Sequence, residues 1–195
     1  MFTGIVETIG EVKQVISSGS NKTFWIESPL SSGFKIDQSI SHSGVCLTVE
    51  LIEGNRHQVT AIDETLQKTN LGDWQKGTLV NIERSLLLSS RLDGHFVQGH
   101  VDTKAICKKR KEKKGSWEFE FTFPKKFAEL IIEKGSVCVN GISLTAFDVA
   151  AKSFSVAVIP FTYEHTNIKT INTGDAVNLE FDILGKYLLR KATIG

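Results

Sequence analysis

The chain has almost no net charge: 23 Lys and Arg against 22 Asp and Glu leave +1 over 195 residues. That removes any bulk electrostatic argument for nucleic acid or a membrane surface as partner. No apolar run approaches the length of a membrane span. Met1 leads straight into FTGIV, with no basic stretch and no small-residue cleavage site, so no signal peptide is expected. Cysteines are few and odd in number. Cys46, Cys107 and Cys138 lack CxxC or metal-ligand spacing, and that pattern reads as reduced thiols in a cytoplasmic protein.

What is present is a repeat. Residues 39–48, SISHSGVCLT, return in altered form at 136–145, SVCVNGISLT. Gly44 aligns with Gly141, Leu47 with Leu144 and Thr48 with Thr145, at an offset of 97. The same offset pairs Val59 with Val156, Thr65 with Thr162, Asn70 with Asn167, Asn81 with Asn178 and Glu83 with Glu180. Upstream the offset is 95, pairing Gly4 with Gly99, Val6 with Val101 and Phe24 with Phe119. A register held this long marks a tandem duplication of a domain-sized unit. We expect one domain over residues 1–91, a second over 92–182, and an unduplicated tail over 183–195.

Each unit reads as short β-branched and aromatic runs separated by Gly, Asn and Asp clusters, the pattern of an all-β barrel or sandwich. In the first unit, strands are expected at 3–15, 23–27, 45–52, 58–62 and 79–83, with helical turns at 29–33 and 63–69. In the second, the basic run KKRKEKK at 108–114 reads as a solvated hairpin tip rather than a nucleic-acid patch. Residues 124–133 read as an amphipathic helix. The tail sequence ILGKYLLRK puts Ile183, Tyr187 and Leu188 or Leu189 near one face, which leans toward self-association.

Cys46 admits two readings. It is a small buried hydrophobe, or, sharing a strand face with Thr48 and lying just after Ser39, it lines a pocket. Its partner in the repeat is Ser143, and His100 aligns with Ile5. Similar pockets with different reactive groups result. His95 and His100 lie five apart with no carboxylate or thiol to complete a metal set, so no metal is expected. His57, after a turn, is expected at the surface, and His165 on a helix face. Thr65 and Thr162 suit either helix capping or ligand binding. Two like pockets that met would suit a reaction between two copies of one molecule, with orientation supplying much of the rate.

The start MFTGIVE, the pair GVCLTV and NGISLT, the segment DGHFVQGHVD and the ending NLEFD together resemble the riboflavin synthase family along almost the whole chain. The departure is Ser43, where the family carries Asn before Gly. The resemblance implies two tandem six-stranded Greek-key barrels with a C-terminal helix, an all-β fold, assembled as a homotrimer. It implies that two molecules of 6,7-dimethyl-8-ribityllumazine exchange a four-carbon unit, giving riboflavin and 5-amino-6-ribitylaminouracil, without a cofactor. It leaves open an association with lumazine synthase. Carried over by position, Gly4, Ile5 and Val6 would line the first pocket with Cys46, Leu47 and Thr48. Thr60, Ala61, Ile62, Asp63, Glu64 and Thr65 would continue that wall. In the second pocket Gly99, His100 and Val101 would stand with Ser143, Leu144 and Thr145. Ala157, Val158, Ile159, Pro160, Phe161 and Thr162 would follow, with Lys134 nearby. The expected catalytic groups are His100 as base or proton shuttle, Cys46 with Ser39 on the acceptor side, Thr145 on the ring and Asp182 as relay. A non-catalytic antenna relative that binds one chromophore is the competing expectation.

Overall fold

A computed structural model describes residues 1–194. In the first half the strands are β1 (Thr8–Ser18), β2 (Asn21–Glu27), β3 (Ser39–His42), β4 (Val45–Glu53), β5 (Arg56–Ala61) and β6 (Leu79–Arg84). They close into a barrel in the order β1-β2-β5-β4-β3-β6. The second half repeats this with β7 (Thr103–Lys113), β8 (Ser116–Thr122), β9 (Ser136–Val139), β10 (Ile142–Ala150), β11 (Ser153–Val158) and β12 (Ala176–Phe181). Here the ring order is β10-β11-β8-β7-β12-β9. A meander of three strands with a fourth returning beside it is the Greek key. Alternation explains the sidedness: Phe24 and Ile26 on β2, and Phe119 and Phe121 on β8, are fully buried while their neighbours face out.

Short helices follow the fifth strand of each barrel. They are α1 (Asp63–Lys68) and α2 (Pro160–His165), each followed by a 3₁₀ turn, Asn70–Asp73 and Asn167–Thr170. The tail forms α3 (Ile183–Ile194). Capping falls elsewhere than expected. Ile62 and Ile159 occupy the N-caps of α1 and α2, whereas Thr69 and Thr166 use their hydroxyls to accept from Leu71 N and Ile168 N at the 3₁₀ turns.

Three further expectations are corrected. Residues 3–7 are not strand: Thr3 N and Gly4 N are taken up by a buried carboxylate described below, and Ile5 N turns to Thr3 Oγ1. The basic run is the end of β7, with Lys113 paired to Glu118 and Lys108 to Glu120, so the hairpin tip is shorter than the charge block. Over 124–133 the chain makes a 3₁₀ segment, Lys125–Leu130, instead of an α-helix, and Phe127, Leu130 and Ile131 still pack on the core of the second barrel.

The hairpins β3–β4 and β9–β10 face each other between the barrels. Their turns, Ser43-Gly44 and Asn140-Gly141, all have positive φ: 47°, 82°, 48° and 78°. That is the type I′ geometry whose twist matches the strands it joins. A Cβ on Gly44 would stand 2.7 Å from Gly141 N, and the reverse contact is equally close. Amides weld the seam. Asn81 Nδ2 donates to Asn140 O (2.8 Å) and Asn167 Oδ1 (2.9 Å), and Asn178 Nδ2 donates to Ser43 O (2.9 Å).

Candidate active site

The segments preceding each barrel, residues 3–6 and 98–101, cross the seam in opposite directions. Gly99 O accepts from Cys46 N at 2.9 Å, and Gly4 O accepts from Ser143 N at 2.7 Å. Neither glycine admits a side chain: a Cβ on Gly99 would lie 2.6 Å from Cys46 Cβ, and one on Gly4 2.7 Å from Ser143 Cβ. Both have positive φ, near +80°. Val101 packs on the core of the first barrel and Val6 on the core of the second.

A carboxylate anchors each arm. Glu83 on β6 accepts from Thr3 N (2.6 Å), Thr3 Oγ1 (2.7 Å) and Gly4 N (3.0 Å). Glu180 on β12 accepts from Gln98 N (2.7 Å), Gly99 N (2.9 Å) and His100 N (2.9 Å). Both oxygens of each group meet donors, the pattern suited to an ionised acceptor. Burial pushes both carboxyls above their usual value, while the arm's donors pull the other way.

This crossing corrects the expected grouping. Gly4, Ile5 and Val6 stand with Ser143, and Gly99, His100 and Val101 stand with Cys46. Sequence alignment pairs positions within the repeat, and nothing in it reveals that each arm reaches across to the other copy.

The result is a cavity of about 230 Å³ lined by Cys46, Glu64, Thr65, Lys68, Gly99, His100 and Val101. Residues bearing a thiol, a hydroxyl and an imidazole thus line the same cavity. Thr48 lies on the Cys46 face of β4, and on β3 Ser39 pairs with Thr48 and Ser41 with Cys46, extending a polar row. Leu47 and Ala61 point into the barrel core instead, and so does Val158 in the other half. Thr60 is tied to Thr23 Oγ1 (2.9 Å) and Glu50 Oε2 (2.8 Å). Ile62 and Asp63 are exposed at the start of α1.

Around Ser143 the twin surface carries Ile5 from the arm, Thr145 from β10, and the exposed Ala157, Ile159, Pro160 and Phe161, while Leu144 and Val6 pack on the barrel core. Thr162 occupies the place of Thr65, half-buried on α2. Ser143 Oγ lies 2.7 Å from His95 Nδ1, a contact that sequence spacing did not suggest. Burial lowers the His95 pKa, and Asp182 opposes that shift. Asp182 accepts from Leu184 N at the start of α3 (3.0 Å), and its charge acts on His95, the partner of Ser143. Lys134, at φ +63°, reaches over the Phe147 ring.

Two residues were missed by sequence reasoning. Phe2, fully buried, packs with Val97, Cys138 and Cys46 between the barrels. His57, expected at the surface, is also fully buried. The alternating pattern of β5 carried that signal, since His57, Val59 and Ala61 share one face. His165 does lie exposed on α2, stacked on Phe161. Among the described residues no group of His, Cys, Asp and Glu has metal-holding geometry, and no helix is long and apolar enough to cross a membrane.

Comparison with known proteins follows the same outline. The family model for the lumazine binding domain matches twice, at residues 3–85 and 98–182. A riboflavin synthase of Bacillus amyloliquefaciens is 36% identical over 97% of this chain and 89% of its own length. One of Schizosaccharomyces pombe is 39% identical over 96% of this chain and 91% of its own. Among solved structures, LumP complexed with riboflavin superposes with a TM-score of 0.87 at 22% identity, covering 93% of this chain and 99% of that one. At that identity the superposition speaks for the fold alone. On the doubled domain match and the full-length identity, the chain belongs to the riboflavin synthase family, enzymes built from a repeated lumazine-binding barrel.

Proposed function

We propose that the chain converts two molecules of 6,7-dimethyl-8-ribityllumazine into riboflavin and 5-amino-6-ribitylaminouracil, with one lumazine held at each kind of pocket. The observation that carries this reading is the cavity lined by both Cys46 and His100, which an inter-barrel arm brings together, while the twin arm sets Gly4 and Ile5 beside Ser143. LumP has been solved with 6,7-dimethyl-8-(1'-D-ribityl) lumazine bound, in a barrel pair of this fold. The cavity is smaller than the roughly 300–1,000 Å³ of ordinary ligand pockets, so a bound heterocycle protrudes and needs a second wall. A pocket of the other kind on a neighbouring copy supplies one.

In the proposed reaction His100 acts as base or shuttle and removes a proton from the C7 methyl of one lumazine, whose ring spreads the charge. A nucleophile, Cys46 or a water held by Ser39, adds to C7 of the other. The carbanion attacks that activated partner. The added nucleophile and the diaminouracil then leave as the new ring closes, returning the proton. Atoms balance between two lumazines and the two products, so no external oxidant or reductant is required. Thr145 hydrogen-bonds the ring at the second pocket, and Asp182 relays protons through His95.

Self-association through α3 into a homotrimer belongs to the same reading, supported by the exposed Leu184, Tyr187 and Leu188. So does a cytoplasmic setting that keeps the thiols reduced. Association with lumazine synthase is tested by co-sedimentation. The deciding assay incubates purified chain with the lumazine alone. One riboflavin and one diaminouracil per two lumazines support the reading. Binding without consumption would place the chain with the antenna proteins.

A further inference from the structure

Each pocket depends on a carboxylate that belongs to the opposite barrel. Residues 98–101 form no ladder of their own with the first barrel beyond the Gly99 O to Cys46 N contact. Their other donors, Gln98 N, Gly99 N and His100 N, all converge on Glu180 of β12. Gly99 has no side chain to lock it, and His100 itself is exposed. Glu180 in the second barrel therefore holds the His100 backbone beside Cys46, together with the packing of Val101 on the first core. Reciprocally, Thr3 N, Thr3 Oγ1 and Gly4 N converge on Glu83 of the first barrel, and their arm serves Ser143 of the second.

We propose that Glu180 is a positioning residue for the Cys46 pocket, holding the His100 segment in place, and that Glu83 does the same for the Ser143 pocket. The chemistry favours carboxylates over neutral acceptors. Three donors arrive from one short stretch of chain, all backbone at Glu180 and two backbone with the Thr3 hydroxyl at Glu83, and only a group whose two oxygens both accept satisfies them. A glutamine presents an NH₂ where the second oxygen stood, so N–H meets N–H and part of the clamp opens. Duplicated carboxylates thus have unlike consequences, because the arms they hold end at unlike reactive groups.

The catalytic half of this proposal rests on the proposed roles of His100 and Cys46; the mechanical half does not. The full-length chain is compared with its Glu180→Gln and Glu83→Gln variants. Three readouts are taken: amide hydrogen exchange of the two arms, alkylation of each cysteine by iodoacetamide followed by mass spectrometry, and turnover of the lumazine. In Glu180→Gln the 98–100 amides exchange at least tenfold faster. Cys46 alkylates about tenfold faster, and the buried Cys107 and Cys138 stay unreactive. Turnover falls about thirtyfold in kcat, with KM within threefold. In Glu83→Gln the fast exchange moves to residues 3–4, and Cys46 alkylation stays within twofold of the parent.

The proposal is overturned if Glu180→Gln leaves Cys46 alkylation within twofold of the parent. It is equally overturned if Glu83→Gln exposes Cys46 as much, or if all three thiols become reactive together, which would mark a plain structural role. Should the parent bind lumazine without turning it over while the alkylation pattern holds, the functional reading fails and the clamp stands. The reverse pattern separates them the other way.

Discussion

The two barrels share a strand order and differ inside. The first encloses a polar chain. Ser28 Oγ and Ser31 Oγ lie 2.8 Å apart, Ser31 Oγ and His57 Nδ1 2.7 Å, His57 Nε2 and His42 Nε2 2.8 Å, and His42 Nδ1 and Ile40 O 3.0 Å. Since a carbonyl only accepts, His42 Nδ1 carries the proton, His57 Nε2 donates to His42, and the hydroxyls donate toward His57. Every link is satisfied with both rings neutral. In the second barrel the places of His42 and His57 are taken by Val139 and Phe154, inside a cluster with Phe119, Phe121, Phe123 and Phe181. A closed barrel tolerates either filling because its ladder bonds are backbone bonds. What changes is the response to protons.

The comparison breaks most severely at the reactive groups. Replacing Cys46 with Ser, the residue of the second pocket, should lower turnover about a hundredfold, a loss of about 2.7 kcal/mol in barrier terms. Cys107→Ser, in the core of the second barrel, should stay within twofold. Equal effects in a riboflavin-formation assay would remove Cys46 from the chemistry. The seam comes next. Gly44→Ala puts a Cβ 2.7 Å from Gly141 N at φ +82°. Backbone strain and lost inter-barrel packing should destabilise the chain by about 3–5 kcal/mol in urea unfolding; a loss under 1 kcal/mol would mean the seam is soft.

Acid sharpens the contrast further. Burial holds His42 well below its ordinary value of 6.5, with His57 beside it adding to the shift, and burial lowers His57 to about 4. The unfolded chain takes up protons first as pH falls below 6.5, so stability is intact above that value and is lost down to about pH 4. For His57 alone the loss is about 3 kcal/mol. The groups packed on the pair are Phe34, Ile40, Val45 and Ser31, with no carboxylate among the causes of either shift. Glu83 and Glu180 stand one in each barrel, and burial shifts both in the same direction, so their titration does not set the barrels apart. Trp25 and Trp74 report on the first barrel and Trp117 on the second. The first should respond to acid before the second, and copying the second barrel with His42→Val and His57→Phe should erase the early step. The smallest effect is at Ser43: Asn tolerates φ +47° better than Ser. Ser43→Asn should stabilise by about 0.5 kcal/mol in urea, provided its amide keeps the bond that Asn81 N makes to Ser43 Oγ at 3.1 Å.

Much of this was legible in the chain. The offset of 97 announced two copies, and alternating runs such as NKTFWIE announced strands. Cys46, Thr65 and His100 were singled out, and one cavity contains all three. The hidden part was relational. Repeat alignment paired Gly4 with Gly99 but could not say that Gly4 serves Ser143, because crossing is a property of two barrels docked about an axis. His57 was misjudged because its neighbouring turn outweighed the two-residue period of β5. Phe2 was overlooked because a residue next to the chain start carries no periodic pattern. Glu83 and Glu180 stood out as a matched pair, yet their task depended on backbone donors that no side-chain pattern encodes.

In the proposed reaction the reciprocal arms build unlike pockets from a duplicated barrel, so that two identical heterocycles meet unlike walls. A crystal structure with an unreactive lumazine analogue tests it most directly. One analogue should lie between Cys46 and His100 and another against Ser143 and Ile5, with the two rings facing across neighbouring copies. Analogue bound only in the first pocket, or His100 turned away from the ring held at Cys46, would contradict the account.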